Sequence, residues 1–175
     1  MMKRVKGFIL AIAGLFIMIT LLSLLIPSKV MVTRGVVINA YRNKIFDEIS
    51  VLRNWKHWHP VFKNDSTLVK FSPDSSGLNS FCEWESAAKN NKLLVTAQTD
   101  NGIVLALQRE GENEVTNTLS ILPLADSNSF QVEWRALTRL KWYPWEKFYG
   151  IFIEKVTGQG YEDALNSLKK YVEGH

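Results

Sequence analysis

The chain begins with a long apolar segment and continues as a mixed sequence of polar and apolar residues. No charged residue lies between Lys6 and Lys29, and the twenty residues 7–26 are almost wholly apolar. A helix of this length rises about 30 Å, which matches the hydrocarbon core of a bilayer. Pro27 predicts the end of that helix. The pattern therefore predicts a transmembrane helix over residues 7–26, inside an N-terminal anchor, residues 1–28, that precedes one domain, residues 29–175.

A cleaved signal peptide is the alternative interpretation of this segment. Its apolar region is usually about 7–15 residues long and is followed by a small-residue cleavage site. Here the apolar run is longer, and the following Leu-Leu-Ile-Pro-Ser offers no such site. Lys3, Arg4 and Lys6 precede the run and favour a cytoplasmic N-terminus, although Lys29 and Arg34 on the far side weaken that preference. We predict a single-pass membrane protein whose domain lies outside the cytoplasm, in the periplasm.

The domain begins with alternating β-branched residues, which predict a strand over residues 30–39. Helical spacing follows over residues 41–52, and a short helical turn at residues 54–59 ends at Pro60. Further strands are predicted between turn-forming residues such as Lys89-Asn90-Asn91, Asp100-Asn101-Gly102 and Asp126-Ser127-Asn128. These six strands cover residues 67–71, 81–86, 93–99, 103–109, 115–122 and 130–140. Connections this short predict antiparallel neighbours, and hence a meander.

A long amphipathic helix closes the pattern, starting near Pro144 and reaching Val172. Its first apolar residues follow one another at intervals of three and four; they are Trp145, Phe148, Tyr149, Phe152, Ile153 and Val156. Gly158 and Gly160 interrupt the pattern, and they indicate either a bend or a strand passing close to the helix. The order of elements predicts an α+β fold in which a curved antiparallel sheet wraps around the long helix.

Charge and cysteine content exclude several classes of function. The formal charge of +4 comes largely from the N-terminal anchor, because residues 29–175 hold 18 basic and 17 acidic residues. A domain this close to neutral is not expected to bind nucleic acid. The single cysteine, Cys82, excludes a disulfide framework and any metal site built from several cysteines. Neither a phosphate-binding glycine loop nor a nucleophile elbow occurs, so no cofactor is predicted.

Three local motifs resemble the START-like (SRPBCC) superfamily, in particular its bacterial polyketide cyclase/dehydrase-type members. Val37-Ile38-Asn39-Ala40, followed by Ile45-Phe46, resembles the first strand and helix of that family. Residues 55–60, Trp-Lys-His-Trp-His-Pro, resemble its W-x-x-W-x-P turn. Residues 160–170 resemble the end of its last helix, although Ala164-Leu165 stands where Gly-Leu is usual. The resemblance covers residues 30–173 and implies a helix-grip fold with a hydrophobic cavity between sheet and helix. It implies no particular reaction.

Few side chains suggest catalysis or metal binding. His57 and His59 are two residues apart, so in a helix their side chains diverge and do not share a metal. Cys82 shares a strand face with Trp84, which favours a buried, inert thiol. Glu83 and Glu85 alternate with these residues and are expected on the solvent face. We therefore predict neither a metal site nor a set of catalytic residues, with His59 as the one candidate for a lone base.

The aromatic residues carry the prediction of a binding site. The candidate ligand-binding residues are Trp58, Trp84, Trp134, Tyr149, Phe152 and Ile153; simple filling of the core is the alternative role. Trp142, Tyr143 and Trp145 suit either the membrane interface or the mouth of a cavity. The leading hypothesis is a membrane-anchored, non-catalytic domain that binds a hydrophobic small molecule or lipid. The alternatives are a cyclase or hydrolase using Tyr149 or His59, and a tethered module that regulates a protein partner.

Overall fold

Seven strands form a single sheet in the computed structural model, which describes residues 2–64, 67–86, 88–125 and 129–174, with side chains from residue 5 onward. Helix α1 (Met2–Ser23) precedes strand β1 (Lys29–Asn39). Helix α2 (Arg42–Ser50), a 3₁₀ turn (Leu52–Asn54) and the short helices α3 (Trp55–Trp58) and α4 (Pro60–Lys63) follow. The other strands are β2 (Val69–Phe71), β3 (Phe81–Ser86), β4 (Lys89–Thr99), β5 (Gly102–Arg109), β6 (Val115–Pro123) and β7 (Ser129–Arg139), and helix α5 (Pro144–Gly174) ends the chain.

The sheet is an antiparallel meander whose last strand returns to the first. Its order is β1-β7-β6-β5-β4-β3-β2, and β1 pairs with β7 over eleven residues, from Lys29–Arg139 to Asn39–Ser129. Asp100 and Asn101 form the predicted two-residue turn, because Thr99 pairs directly with Gly102. The curved antiparallel sheet and the long C-terminal helix confirm the predicted α+β helix-grip architecture.

The turn predicted at Lys89-Asn90-Asn91 is wrong. These residues begin β4 and pair with Ser86, Glu85 and Trp84 of β3. The reversal lies one step earlier, where Ala88 adopts a positive φ of 59°. Alanine rarely takes this conformation, so the presence of an alanine at this position did not predict a turn. The turn predicted at Asp126-Ser127-Asn128 lies outside the described residues.

The core lies between the inner face of the sheet, the short helices and the second half of α5. Leu165 and Leu168 of α5 are fully buried, and Ala164 and Val172 lie on the same face. Trp55 and Trp58 fill the space between α2 and the sheet, and their indole N–H groups donate to backbone carbonyls of α2 at 3.0 and 3.1 Å. Because these polar tips are satisfied, both rings are buried without an unpaired donor.

Helix α5 runs parallel to β1 along its whole length. A side chain at Gly150 would contact Val30 near the start of β1, and Glu173 accepts a hydrogen bond from the backbone N–H of Asn39 at 2.8 Å. Between these ends, a Cβ atom at Gly158 would meet the guanidinium of Arg34. The glycine therefore allows β1 to approach the helix closely, and α5 continues without a break from Pro144 to Gly174.

Helix α1 is joined to the domain by a short link. Its segment Val5–Ser23 is long and apolar enough to cross a membrane, with a mean hydropathy of 2.4. The α-helix ends at Ser23, three residues before Ile26, and the chain tightens into i→i+3 hydrogen bonds over the next residues. Lys147 of α5 donates from Nζ to the carbonyl of Ile26 at 2.9 Å and to Ser28 Oγ at 2.5 Å. These two bonds hold the link against the start of α5.

Candidate ligand cavity

A cavity of about 250 Å³ lies between the sheet, α4 and the middle of α5. The sheet contributes one wall, and the short helices and α5 contribute the other. Its lining residues are Trp55, His59, Val61, Phe62, Trp84, Leu93, Leu107, Arg109, Asn117, Trp134, Val156, Thr157, Gly160 and Tyr161. The cavity therefore lies where the helix-grip fold places one, between the curved sheet and the long helix.

Aromatic rings in mutual contact form most of its wall. Trp134 of β7 contacts Trp55 edge-on at 5.7 Å and the Tyr161 ring at 5.1 Å. Across the cavity, Phe62 meets Trp84 edge-on at 5.0 Å between ring centres. Edge-on and tilted contacts of this kind hold each ring in one orientation. The wall is therefore rigid and apolar.

One buried polar pair fixes the floor of the cavity. Asn117 is almost fully buried, and its Oδ1 accepts a hydrogen bond from Trp134 Nε1 at 3.0 Å. Its Nδ2 donates to the carbonyl of Val115 at 3.1 Å. Both ends of the amide are thus occupied within the protein. The pair orients Trp134 and uses one acceptor site and one donor of the Asn117 amide.

His59 supplies a neutral imidazole. It caps α4, because its Nδ1 accepts a hydrogen bond from the backbone N–H of Val61 at 3.3 Å. Burial among aromatic rings lowers the pKa of His59 to about 4. Since Nδ1 is an acceptor, the proton of the neutral ring is on Nε2. At neutral pH His59 is therefore a hydrogen-bond donor through Nε2 and a poor base.

Tyr161 and Arg109 add two further donors. Burial raises the pKa of the Tyr161 hydroxyl, an effect that the positive charge of Arg109 partly opposes. The phenol consequently stays protonated at neutral pH, and no hydrogen bond of its hydroxyl occurs among the described residues. Arg109 is more exposed and forms an ion pair with Glu112 at 3.5 Å. Tyr161, His59 and Arg109 therefore each present a donor at the cavity, while the hydroxyl of Thr157, also in the lining, is used to donate to the carbonyl of Ile153 at 2.8 Å.

The structure brings together only part of the predicted ligand-binding set. Trp84 and Trp134 line the cavity, whereas Trp58 is buried behind it, 6.5 Å from the Trp134 ring. Tyr149 and Phe152 lie on the exposed face of α5, outside the lining. Ile153 is buried in a separate cluster with Val32, Ala136 and Leu140. Ligand contact by any of the six stays a prediction.

Several lining residues escaped the sequence-based set. Tyr161 directly follows the Gly158-Gln159-Gly160 segment, so its register relative to the stripe before the glycines was not evident. Asn117 lies on the same face of β6 as the apolar residues of that strand. A polar residue on the buried face of a strand is the signal that could have identified it. His59 was considered as a metal ligand and as a lone base, whereas the structure makes it a donor.

The remaining chemical candidates lie away from the cavity lining. Burial, together with the nearby Glu83 carboxylate, raises the pKa of the Cys82 thiol to about 12, so the thiol is inert at neutral pH. His57 contacts Glu48 at 3.3 Å on the surface. Among the described residues, no group of three or more His, Cys, Asp or Glu side chains could hold a metal ion.

The mouth of the cavity lies between α4 and α5. Val61 of α4 and Val156 of α5 are both lining residues and are both exposed, so they form an apolar rim. Gly160 lies on the same rim, and a Cβ atom there would meet no other atom within 4 Å. A larger open depression of about 650 Å³ shares Trp84 and Arg109 with the cavity, but charged and amide side chains form most of it. The apolar entrance is therefore the one beside α5.

Several solved structures share this architecture. A START superfamily protein from Mycobacterium smegmatis superposes with a TM-score of 0.63 at 19% identity, covering 83% of this chain and 98% of that one. Norcoclaurine synthase from Thalictrum flavum, in complex with dopamine and hydroxybenzaldehyde, has a TM-score of 0.64 at 12% identity, covering 84% and 88%. A protein from Chromobacterium violaceum has a TM-score of 0.59 at 11% identity, covering 82% and 98%.

No protein-family model matches the chain, and no curated protein matches it. The similarity to solved structures is low in sequence and extends over almost the whole of each neighbour, so it is a similarity of fold. It confirms the resemblance predicted from the motifs at residues 37–46, 55–60 and 160–170. The chain has the START-like, SRPBCC-type helix-grip fold.

Proposed function

We propose that the protein is a membrane-tethered binding domain that takes up a small apolar molecule carrying a hydrogen-bond acceptor. The observation that carries this proposal is the composition of the cavity: an aromatic wall with three donors, Tyr161, His59 and Arg109, among its polar groups. All three donate at neutral pH. A carbonyl or carboxylate oxygen would satisfy them, whereas a purely apolar molecule would leave them unpaired.

The size of the cavity limits the ligand. About 250 Å³ holds roughly eight water-sized groups, and ligand pockets generally start at about 300 Å³. A compact aromatic molecule, or one end of a longer amphiphile, matches this space. A whole phospholipid does not. Of the two ligand classes predicted from the sequence, the small molecule is therefore the one we propose.

The domain organisation forms part of the proposal. Residues 1–28 form the anchor, with α1 as a membrane-spanning helix, and residues 29–175 form the binding domain. The apolar run and the basic residues before it support a single-pass protein whose domain lies in the periplasm. Trp84 and Trp134 are the proposed ligand contacts from the predicted set, joined by Phe62 and Tyr161.

An enzyme is the second candidate, because donors that bind a carbonyl oxygen also polarise it. Among the described lining residues there is no Asp, Glu, Lys or Cys, and His59 is a poor base. Proton abstraction would have to rely on the ligand itself or on water. We therefore favour binding without catalysis.

Fluorine NMR on the full chain in phosphatidylcholine nanodiscs tests the proposal. The probes are para-fluorobenzaldehyde, para-fluorobenzoate and para-fluorotoluene, which share a ring and differ in the acceptor. We expect the aldehyde or the carboxylate to broaden more strongly than the toluene. Gly160→Leu fills the mouth with a helix-favouring residue and should abolish the effect, whereas Gly160→Ala should retain it. Equal broadening by the natural chain, Gly160→Leu and empty nanodiscs would overturn the proposal.

A further inference from the structure

The first half of α5 exposes an apolar face, at the start of which Tyr143 stacks on Trp145 at 4.4 Å between ring centres. Trp145, Tyr149, Phe152 and Val156 follow at intervals of four, three and four residues, so they lie along one side of the helix. Their exposed fractions are 64%, 56%, 57% and 64%. We call these four residues the apolar stripe. Helices of water-soluble domains normally turn such a face towards the core.

The opposite side of the same helix segment packs on the domain. Lys147, Gly150 and Ile153 are buried there, and Gly150 allows Leu140 and Val30 to approach the helix. The buried side is thus built from a lysine, a glycine and one isoleucine, while the larger apolar side chains point outward. The packing of Gly150 and Ile153, together with the contacts of Lys147 with the link to α1, sets this rotation of the helix.

The stripe begins next to the end of α1. Only residues 24–28 separate α1 from β1, and Lys147 binds two residues of that link. Five extended residues span at most about 18 Å. Because α5 runs parallel to β1, Trp145 lies at the end of the domain nearest α1, and the stripe leads away from it.

The stripe ends at the cavity. Val156 is both its last member and part of the apolar rim, beside Gly160 and opposite Val61. The eleven steps from Trp145 to Val156 rise about 17 Å along the helix. One continuous apolar surface therefore leads from the anchor end of the domain to the mouth of the cavity.

We propose that the apolar stripe contacts the surface of the lipid bilayer and guides apolar ligands between the membrane and the cavity. Trp142 and Tyr143 flank its start, Trp142 is highly exposed, and Lys141 lies beside Tyr143. Tryptophan, tyrosine and lysine at this depth suit the interface between lipid and water. The inference rests on the proposed function, since it requires α1 to span the membrane and the cavity to bind a ligand.

Spin labels on the full chain in phosphatidylcholine nanodiscs test the contact. Single cysteines replace Tyr149, Phe152 and, as a control on the distal half of α5, the exposed Asn166; the buried, inert Cys82 is retained. We expect labels at Tyr149→Cys and Phe152→Cys to be more accessible to oxygen than to a water-soluble nickel complex. The label at Asn166→Cys should show the reverse order, because it lies about 15 Å beyond Val156.

Two outcomes overturn the inference. Labels on the stripe that behave like Asn166→Cys would show that the stripe faces water. Stripe labels that are immobile and inaccessible to both reagents would show that a protein, either another chain or a second copy, covers it.

Two further measurements separate this inference from the proposed function. A label at Ile12→Cys reports whether α1 lies deep in the bilayer, and fluorine NMR with probes added from water reports whether the cavity binds them. Deep α1 and intact binding together with a water-facing stripe would refute the inference alone.

The route itself is tested by charging the stripe with Tyr149→Glu and Phe152→Glu together. Transfer of a membrane-dissolved probe, para-fluorobenzaldehyde carried in donor vesicles, should slow, while binding of the same probe added from water should not change. Asn166→Glu is the control and should alter neither. Unchanged transfer from vesicles in the doubly charged variant would overturn the guiding role.

Discussion

The two halves of α5 form one continuous helix, but they differ in which side chains face the sheet and which face outward. In the second half Ala164, Leu165 and Leu168 face the sheet and polar residues face outward, as in any amphipathic helix on a core. In the first half the large aromatic residues face outward, Gly150 and Ile153 lie against the sheet, and Lys147 reaches the link to α1. An amphipathic pattern reports which residues share a face, and the surroundings of the helix decide which face is buried.

The largest expected difference between the halves is in folding stability. Leu168→Ala removes a fully buried side chain and should lower the free energy of unfolding by about 2–5 kcal/mol. Phe152→Ala, on the exposed stripe, should change it by no more than about 0.5 kcal/mol. Urea unfolding of the full chain in nanodiscs, followed by tryptophan fluorescence, measures both. A large loss for Phe152→Ala would mean that the folded domain buries this side chain, against protein or against lipid.

Acid should destabilise the cavity region through His59, which lies opposite the second half of α5. The unfolded residue binds a proton below its ordinary pKa of 6.5, whereas the folded one does so only near pH 4. Its stabilising contribution is thus complete above pH 6.5 and is lost as the pH falls towards 4, by up to about 3 kcal/mol. His59→Asn keeps the helix cap without the titration and should flatten the pH dependence of stability in this window.

Thermal unfolding of the natural chain and of His59→Asn, followed between pH 4 and pH 7, measures this pH dependence. A natural chain and a His59→Asn variant with the same slope between pH 6.5 and 4 would contradict a buried neutral imidazole.

The link between α1 and the first half of α5 should contribute less. Lys147→Met preserves length but removes the hydrogen bonds to Ile26 and Ser28, so we expect a loss of about 1–2 kcal/mol. The readout is the mobility of a spin label at Tyr149→Cys, which should increase in the Lys147→Met variant. A label at Ser28→Cys is unsuitable, because that substitution itself removes one of the two hydrogen bonds. Lys155→Met, at an exposed lysine, should have no effect. Equal mobility in both variants would show that Lys147 does not hold the link.

The two glycines at the boundary between the halves should give the smallest effects. Gly160→Ala places a methyl group in open space and should stabilise the helix by up to about 1 kcal/mol. Gly158→Ala meets the Arg34 guanidinium, so displacement of that side chain should offset the same gain. Thermal unfolding of the two variants compares them directly. A greater gain in stability for Gly158→Ala than for Gly160→Ala would contradict the close contact between Gly158 and the side chain of Arg34.

Much of the fold was predictable, because alternation and turn residues are local signals. β1, β3 and β5 were predicted to within about one residue at each end. The reversal at Ala88 was missed because its positive φ depends on the hairpin around it and not on the residue type. The length of α5 was predictable from its spacing, but its rotation was not, since it depends on Lys147 and the link.

The site was predictable only in outline. Trp84 and Trp134 were identified because they alternate onto the inner face of strands, and both line the cavity. Tyr161, His59 and Arg109 come from three separate elements, and only the folded chain brings their donors to one space. The selection of Tyr149 and Phe152 followed from assuming that the apolar side of α5 faces the sheet throughout.

The long pairing of β1 with β7 has a mechanical consequence. Since β1 is joined to α1 by five residues, a force applied to the membrane segment along the axis of β1 passes directly to that strand. The hydrogen bonds to β7 lie across that axis over all eleven residue pairs, so the force loads them together in shear instead of opening them one at a time. We therefore expect β1 to resist stretching more than the other strands of the sheet do.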